Sequence, residues 1–445
     1  MKKSISLLAT IAVLAPVTTG FAQSSWQTVA DFQCAAPATV DALAKDPAGN
    51  LYAAISTSDA ESRMHAVIRK SSDHGATWSV VEDFVYGARD SVRFLRLGAD
   101  AAGHLYAAGY AEDNRQTRWI VRKSEIGGNS WSTVDDLAWP GCETTVPQGF
   151  AVDVAGNLYV AGYGAEPTTD AKSGRRAHWL VRQSRDGGRN WSTIDDFSYD
   201  FSAKAFAIVS TSNGLFIAGS GWNGKRESGG RWLVRKGTPD GAGGFRWQTV
   251  DELQRGEHGQ WSESRASALA VDVRGSLYAV GRSYAPPGGR AKAHWLVRRA
   301  SHEGLNWTDV DTFQLEPDCF AAAWGIAAND RGGVFVVGQA ADGNNAAHWI
   351  VRQSLTGEPG TWSVSDDFRL AAPPPSTPTA AGLINRAADG TVTATSPGNQ
   401  ARGVAILSDS AFVFAGGLAN AGPGHAIVRK LKFVRAGELT AASGR

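Results

Sequence analysis

Residues 149–197 read GFAVDVAGNLYVAGYGAEPTTDAKSGRRAHWLVRQSRDGGRNWSTIDDF, and this stretch decides the fold. It holds the phrases NLYVAG, HWLVRQS and WSTIDDF, preceded by a short apolar segment, AVD. Each phrase is rich in Val, Ile, Leu, Phe or Trp and is bounded by Gly, Asn, Asp or Ser, the pattern of a β-strand. Asp153 to Gly156 supplies a tight turn between the first two segments. One unit is therefore four antiparallel strands, and no helical periodicity runs through it.

The phrases recur along the chain, and a repeat of this length governs the whole fold. The Trp-led phrase starts at Trp26, Trp78, Trp131, Trp191, Trp247, Trp307 and Trp362, at intervals of 52 to 60 residues. The phrase before it starts at His65, Arg118, His178, Arg231, His294, His348 and His425. The second-strand phrase returns as GNLYAA, GHLYAAG, NGLFIAG, GSLYAVG, GGVFVVG and SAFVFAG. A lone sheet of this kind exposes apolar side chains on both faces, because Trp179, Leu180 and Val181 follow one another. Radial stacking of seven such sheets buries those faces, which makes an all-β, seven-bladed β-propeller of four-stranded antiparallel blades. The chain begins with a Trp-led strand, Trp26 to Phe32, that has no partners before it, and the unit ending at His425 to Lys430 has no Trp-led strand after it. The N-terminal strand is expected to complete the last blade and close the ring.

Met1-Lys2-Lys3 precedes an apolar run from Ile5 to Ala15, and Gly20 and Ala22 supply the small residues of a cleavage site. Residues 1–22 read as a signal peptide removed after Ala22, too short in its apolar part to span a bilayer. The expected organisation is a propeller over 23–434, a flexible loop insertion at 369–402 around Pro-Pro-Pro-Ser-Thr-Pro, and a tail at 435–445. The product is expected to be secreted or periplasmic, monomeric and without membrane insertion. A net charge of +1 gives no electrostatic reason to hold nucleic acid. Cys34, Cys142 and Cys319 allow at most one bridge, and free thiols are expected because each follows a Trp-led strand of a different unit.

Before two of the Trp anchors stand SSDHGATW, Ser71 to Trp78, and SRDGGRNW, Ser184 to Trp191. Both fit Ser-x-Asp-x-Gly-x-x-Trp and resemble the Asp box, or BNR repeat, of sialidase-like β-propellers. Other copies depart from it, with Ile126 in place of the Asp in SEIGGNSW and altered spacing in SHEGLNW and SLTGEPGTW. The resemblance implies that ligands lie at the end of the ring that carries the loops between second and third strands and between successive units. It also implies that Asp73 and Asp186 shape turns at the opposite end. The Phe/Tyr-Arg-Ile-Pro motif of sialidases is missing, and those enzymes close with six blades.

A residue that recurs in every unit cannot be the single reacting group of one site. Arg69, Arg122, Arg182, Arg235, Arg298, Arg352 and Arg429 therefore read as ion-pair partners for strand acids such as Asp83, Asp135, Asp195 and Asp251. The third-strand histidines are spread around the ring, so no metal site and no cofactor is expected. Of the 16 Trp, Trp139, Trp222, Trp261 and Trp324 stand outside the repeat and map to the loop-rich end, as do Tyr86, Tyr110, Tyr163, Tyr199 and Tyr284. Flat rings beside polar loop residues hold sugars. The same loops carry Lys172, Arg175, Arg176, Lys225, Arg226, Arg290 and Lys292 against Glu143, Asp200, Glu257, Glu263 and Asp318. The expected ligand-binding residues are Trp139, Trp222, Trp261, Trp324, Tyr163, Tyr199 and Tyr284, for a carbohydrate bound without catalysis. A glycoside hydrolase, in which two carboxylates face each other across the scissile bond and loss of one acid such as Glu257 or Asp318 abolishes turnover, and a protein-binding scaffold are the alternatives.

Overall fold

The computed structural model describes residues 25–34, 36–87, 91–113, 116–167, 175–224, 229–255, 263–284, 293–369, 384–386, 392–394, 400–409, 412–420 and 425–433. The expected signal peptide, the tail and most of the insertion lie outside them. Within the insertion, Ile384–Arg386 pairs with Val392–Ala394, and a long strand starts at Gln400, so the 369–402 boundary runs into regular structure.

The described chain is all-β apart from one 3-10 turn at Ile126–Gly128. Four separate sheets have four antiparallel strands each, and a twelve-stranded sheet is three such groups joined at single parallel pairs, Thr117 with Thr144 and Ala177 with Ser202. The third group shows the plan: Thr144–Val152, Leu158–Ala165, Ala177–Ser184 and Ser192–Phe197, each pairing with the next. Its first strand extends well upstream of the AVD segment. The other first strands are Thr39–Lys45, Val92–Ala99, Ser202–Thr211, Ser264–Val271, Ala321–Ala328 and Gln400–Ser408. Each neighbours the first strand of the next group, and Thr39–Lys45 lies beside Gln400–Ser408. In the last group the outermost strand is Gln27–Gln33, paired antiparallel with His425–Lys432.

Local chemistry explains the repeated phrases. In Asp-x-x-Gly-Asn-Leu-Tyr the Asp153 carboxylate accepts the Ala155 and Asn157 amides, while the Tyr159 hydroxyl donates to it at 3.0 Å. Asp46 with Tyr52, Asp100 with Tyr106 and Asp272 with Tyr278 repeat the arrangement. Gly156 takes φ 82°, which closes the turn. In SRDGGRNW, Asp186 accepts Ser184 and Asn190, and the Trp191 indole donates to the Gly188 carbonyl at 3.1 Å. These hydrogen bonds hold the Asp186 carboxyl down at about 2. Trp131 and Trp307 make the same indole–glycine bond where the box is degenerate, so the ring, and not the acid, is the constant part.

Packing between groups rests on the third strands. Trp119, Trp179, Trp232, Trp295 and Trp349 are fully buried. A Cβ at Gly162, Gly219, Gly281 or Gly338 would overlap the Trp of the preceding group, which is why the second-strand phrase ends in Gly. Between most groups an arginine also crosses: Arg182 grips Asp135 through two bonds of 2.9 Å, and Arg298 grips Asp251 likewise. One expected partner differs. Asp83 binds His65 within its own sheet, and Glu82 receives Arg122, because side chains alternate across the strand and only Glu82 faces the neighbouring group.

Candidate functional site

Every first strand carries one extra residue relative to its partner strand, a β-bulge. The bulged residues are Asp41, Leu95, Gln148, Phe206, Ser267, Trp324 and Val404, which share no common chemistry. The glycine opposite permits the close approach: a Cβ at Gly109, Gly162, Gly219 or Gly281 would overlap a first-strand carbonyl oxygen. Repetition thus builds the scaffold, and the bulge places a non-repeating side chain in each group.

All seven first strands contribute to one cavity of about 170 Å³. Its wall includes Asp41, Arg96, Phe150, Leu269, Trp324 and Ile406. Asp41 is 4% exposed and is held by the Arg93 guanidinium and the Ser56 hydroxyl. That carboxylate keeps the Arg93 pKa above the ordinary arginine value. Arg96 donates to the carbonyls of Leu95 at 2.6 Å and of Phe206 at 3.3 Å, and burial lowers its pKa to about 10.

Beside the cavity a run of aromatic and cationic groups crosses four successive four-stranded groups. Tyr163 meets Phe206 edge-on at 6.4 Å, with the Lys204 ammonium 4.8 Å from the Tyr163 ring. The Arg265 guanidinium lies 3.6 Å from Phe206 and 5.9 Å from Trp324. Arg282, bonded to Glu263 at 2.7 Å, stands 5.7 Å from the same Trp324 ring. Such contacts orient the cations and leave the indole in a polar setting.

The expected site residues separate under this geometry. Trp324 lies inside the strand Ala321–Ala328, a correction to its placement in a loop, because the bulge turns it toward the cavity. Tyr163 also lies within a strand and is 3% exposed, which makes it a support for the run. Trp222 ends the strand Gly214–Trp222 and meets Phe201 at 5.2 Å. Trp222 is thus a strand residue and not a loop residue, whereas Tyr199 stands in the loop before the strand Ser202–Thr211 and donates to Glu252 at 2.7 Å. Tyr284 ends the strand Leu277–Tyr284, where burial raises its pKa, and Trp139 packs beside Gly164 and Cys142. Trp261, Lys172, Lys225, Arg226, Glu257, Arg290 and Lys292 lie outside the described residues. Phe206 and Arg265 were missed; their signal is a non-repeating residue in a segment that otherwise reads as small and apolar.

Acids on this end are mostly occupied: Arg175 holds Glu143 at 3.0 Å, and His178 and His348 take Glu166 and Asp342. Asp200 and Asp318 sit at left-handed turn positions, φ 49° and 60°. Cys34, Cys142 and Cys319 are free thiols, Cys142 with its pKa raised by burial to about 11. Among the described residues no three His, Cys, Asp or Glu side chains are grouped to hold a metal, and no helix is long and apolar enough to cross a membrane.

No family model matches the chain, and neither does any curated protein sequence. Among solved structures it is similar to the polysaccharide lyase Uly1, 9% identical over 88% of this chain and 90% of that one, with a TM-score of 0.52. An ulvan lyase of polysaccharide lyase family PL25 is 11% identical over 89% and 95%, TM-score 0.51. The α-L-arabinofuranosidase Arb93A of Fusarium graminearum is 12% identical over 93% and 99%, TM-score 0.50. The chain spans 65% of the Hadza microbial sialidase Hz136, at 14% identity and a TM-score of 0.44. At these identities the likeness is one of fold: a sheet architecture that carbohydrate-active proteins also use.

Proposed function

We propose that this chain is an exported, monomeric, seven-bladed β-propeller that binds carbohydrate at its loop-rich end without catalysis. The return of the first strands from Gln400–Ser408 to Thr39–Lys45 supports the ring, and the pairing of Gln27–Gln33 with His425–Lys432 supports its closure by the N-terminal strand. The basic and apolar segments before Ala22 support export.

The observation that carries the ligand reading is the Phe206–Arg265–Trp324–Arg282 run, which meets the cavity at Trp324. An indole flanked by fixed guanidiniums offers a flat apolar face for a sugar ring and donors for its hydroxyls. The fold neighbours act on polysaccharides or arabinosides by their names, which favours a glycan over a protein ligand. They also favour the second reading, a glycan-cleaving enzyme.

One experiment separates the two: residues 23–445 on a glycan array, with reducing ends and unsaturated products assayed for every glycan bound. Binding without release, weakened at least tenfold by Trp324→Ala, is the expected result. Release of product makes the chain an enzyme, and silence in both assays overturns the glycan reading in favour of a protein-binding scaffold.

A further inference from the structure

The residue after each bulge is Ala or Gly in six groups, as in Ala42, Gly149, Ala207, Ala268 and Gly325; in the second group it is Arg96. Six small residues leave room at the axis, and one arginine extends into that room. Arg96 reaches from its own strand to the Phe206 carbonyl two groups away. Its described hydrogen bonds go to carbonyl oxygens, which carry no full charge. The acid on the same wall, Asp41, already serves Arg93 and Ser56. Two guanidiniums therefore face one carboxylate. A half-buried guanidinium on a cavity wall is well matched by a carboxylate or phosphate through paired bonds, and this one has donors left over for such a partner.

The rest of the wall is apolar, with Leu43, Leu97, Phe150, Leu269 and Ile326 beside the Trp324 indole. The volume of about 170 Å³ is several times the roughly 30 Å³ that one water takes in the liquid. A cavity with one free cationic fork, an acid already paired to Arg93 and Ser56, two aromatic rings and aliphatic walls fits a small anion with a compact body.

We infer that the axial cavity is a binding site for a small organic anion, whose carboxylate pairs with the Arg96 guanidinium while its body lies against Trp324. The site shares Trp324 with the carbohydrate proposal, but what it adds stands on Arg96 and the cavity. A free small carboxylate and the acidic end of a glycan share this chemistry, and the test tells them apart.

Melting temperature and Trp fluorescence of residues 23–445 are followed during titration with acetate, glucuronate and, as a neutral match, glucose. Acetate or glucuronate is expected to raise the melting temperature and change the fluorescence saturably, and glucose to do neither. Arg96→Met should weaken the anion response at least tenfold while far-ultraviolet circular dichroism stays unchanged. Arg96→Lys, which keeps the charge but not the fork, should fall between and covers the case in which Arg96→Met fails to fold. A response to glucuronate alone, matched by Arg96-dependent capture of uronate-ended glycans, assigns the acidic glycan; a response to acetate as well assigns the free anion. No response of the unaltered protein to any anion, or an equal response of Arg96→Met, overturns the inference. Binding of neutral glycans that survives Arg96→Met shows that the carbohydrate proposal stands or falls apart from it.

Discussion

Six junctions between neighbouring sheets and the seventh are built differently. At the six, Arg122, Arg182, Arg235, Arg298, Arg352 and Arg429 reach Glu82, Asp135, Asp195, Asp251, Asp311 and Asp366 of the preceding sheet. At the seventh, between the last sheet, whose outer strand is Gln27–Gln33, and the first, Ala30 occupies the acid's position and Arg69 lies 4.9 Å over the Phe32 ring. That stacking is common to both kinds: Arg122 lies over Phe84 at 4.2 Å, Arg235 over Phe197 at 3.7 Å and Arg429 over Phe368 at 4.1 Å. The seam does without a carboxylate there, and at the junctions of Arg182 and Arg298 Leu137 and Leu253 take the ring's place, so acid and ring are separable contributions, the acid being the one that burial makes costly. Burial raises the pKa of Asp135, Asp251 and Asp366 despite the arginine beside each, and carries Asp195, whose contact to Arg235 is the longest at 3.3 Å, up to about 6.

Removing residues 26–32 is the strongest way to break this comparison. It takes away the strand that joins the ends, and the expected outcome is loss of a single cooperative transition in thermal and urea unfolding. An unchanged curve would refute closure. Next in size is Asp135→Ala, which strands a buried Arg182; about 3–5 kcal/mol should be lost in denaturant unfolding. A loss under about 1 kcal/mol would show that the six pairs are no tighter than the seam.

The pH dependence of Asp195 comes third. Its folded pKa lies above the unfolded value, so the folded state holds the proton more tightly, and the contribution is fully present below about 4 and lost as pH rises toward 6. The size is at most about 3 kcal/mol. Asp195→Asn should flatten that part of the stability–pH curve, and an unaltered slope would assign it to other groups. The smallest effect belongs to Ala30→Asp, which gives the seam the missing acid. Desolvation offsets the new attraction, so the change should stay within about 1 kcal/mol. A gain well beyond that would mean the seam lacks a net stabiliser that the other junctions possess.

Much of the sheet plan was legible because the repeat samples it again and again. The order of phrases placed Trp26 to Phe32 with the last group, and the structure pairs it with His425–Lys432. Recurrence of the third-strand arginines identified them as structural, although Glu82 and not Asp83 faces the neighbouring sheet. The site was much less legible. Trp324 was singled out as a residue outside the repeat, yet assigned to a loop; Tyr163 was grouped with it but is buried. Composition marks a ring as unusual, and only packing decides whether that ring faces water, a cavity or a neighbour.

What the sequence determined by itself is the strand, its turn and its repetition, because these depend on side-chain alternation, on Asp and Gly chemistry at turns, and on residues within one unit. What only the tertiary structure decided is where the bulges point and what they gather. Asp41, Arg96, Phe150 and Trp324 come from four different groups, yet they border one cavity. Asp41, Arg96 and Trp324 each depart from the repeat in their own group, and the cavity exists because seven bulged strands meet where no local pattern records the meeting.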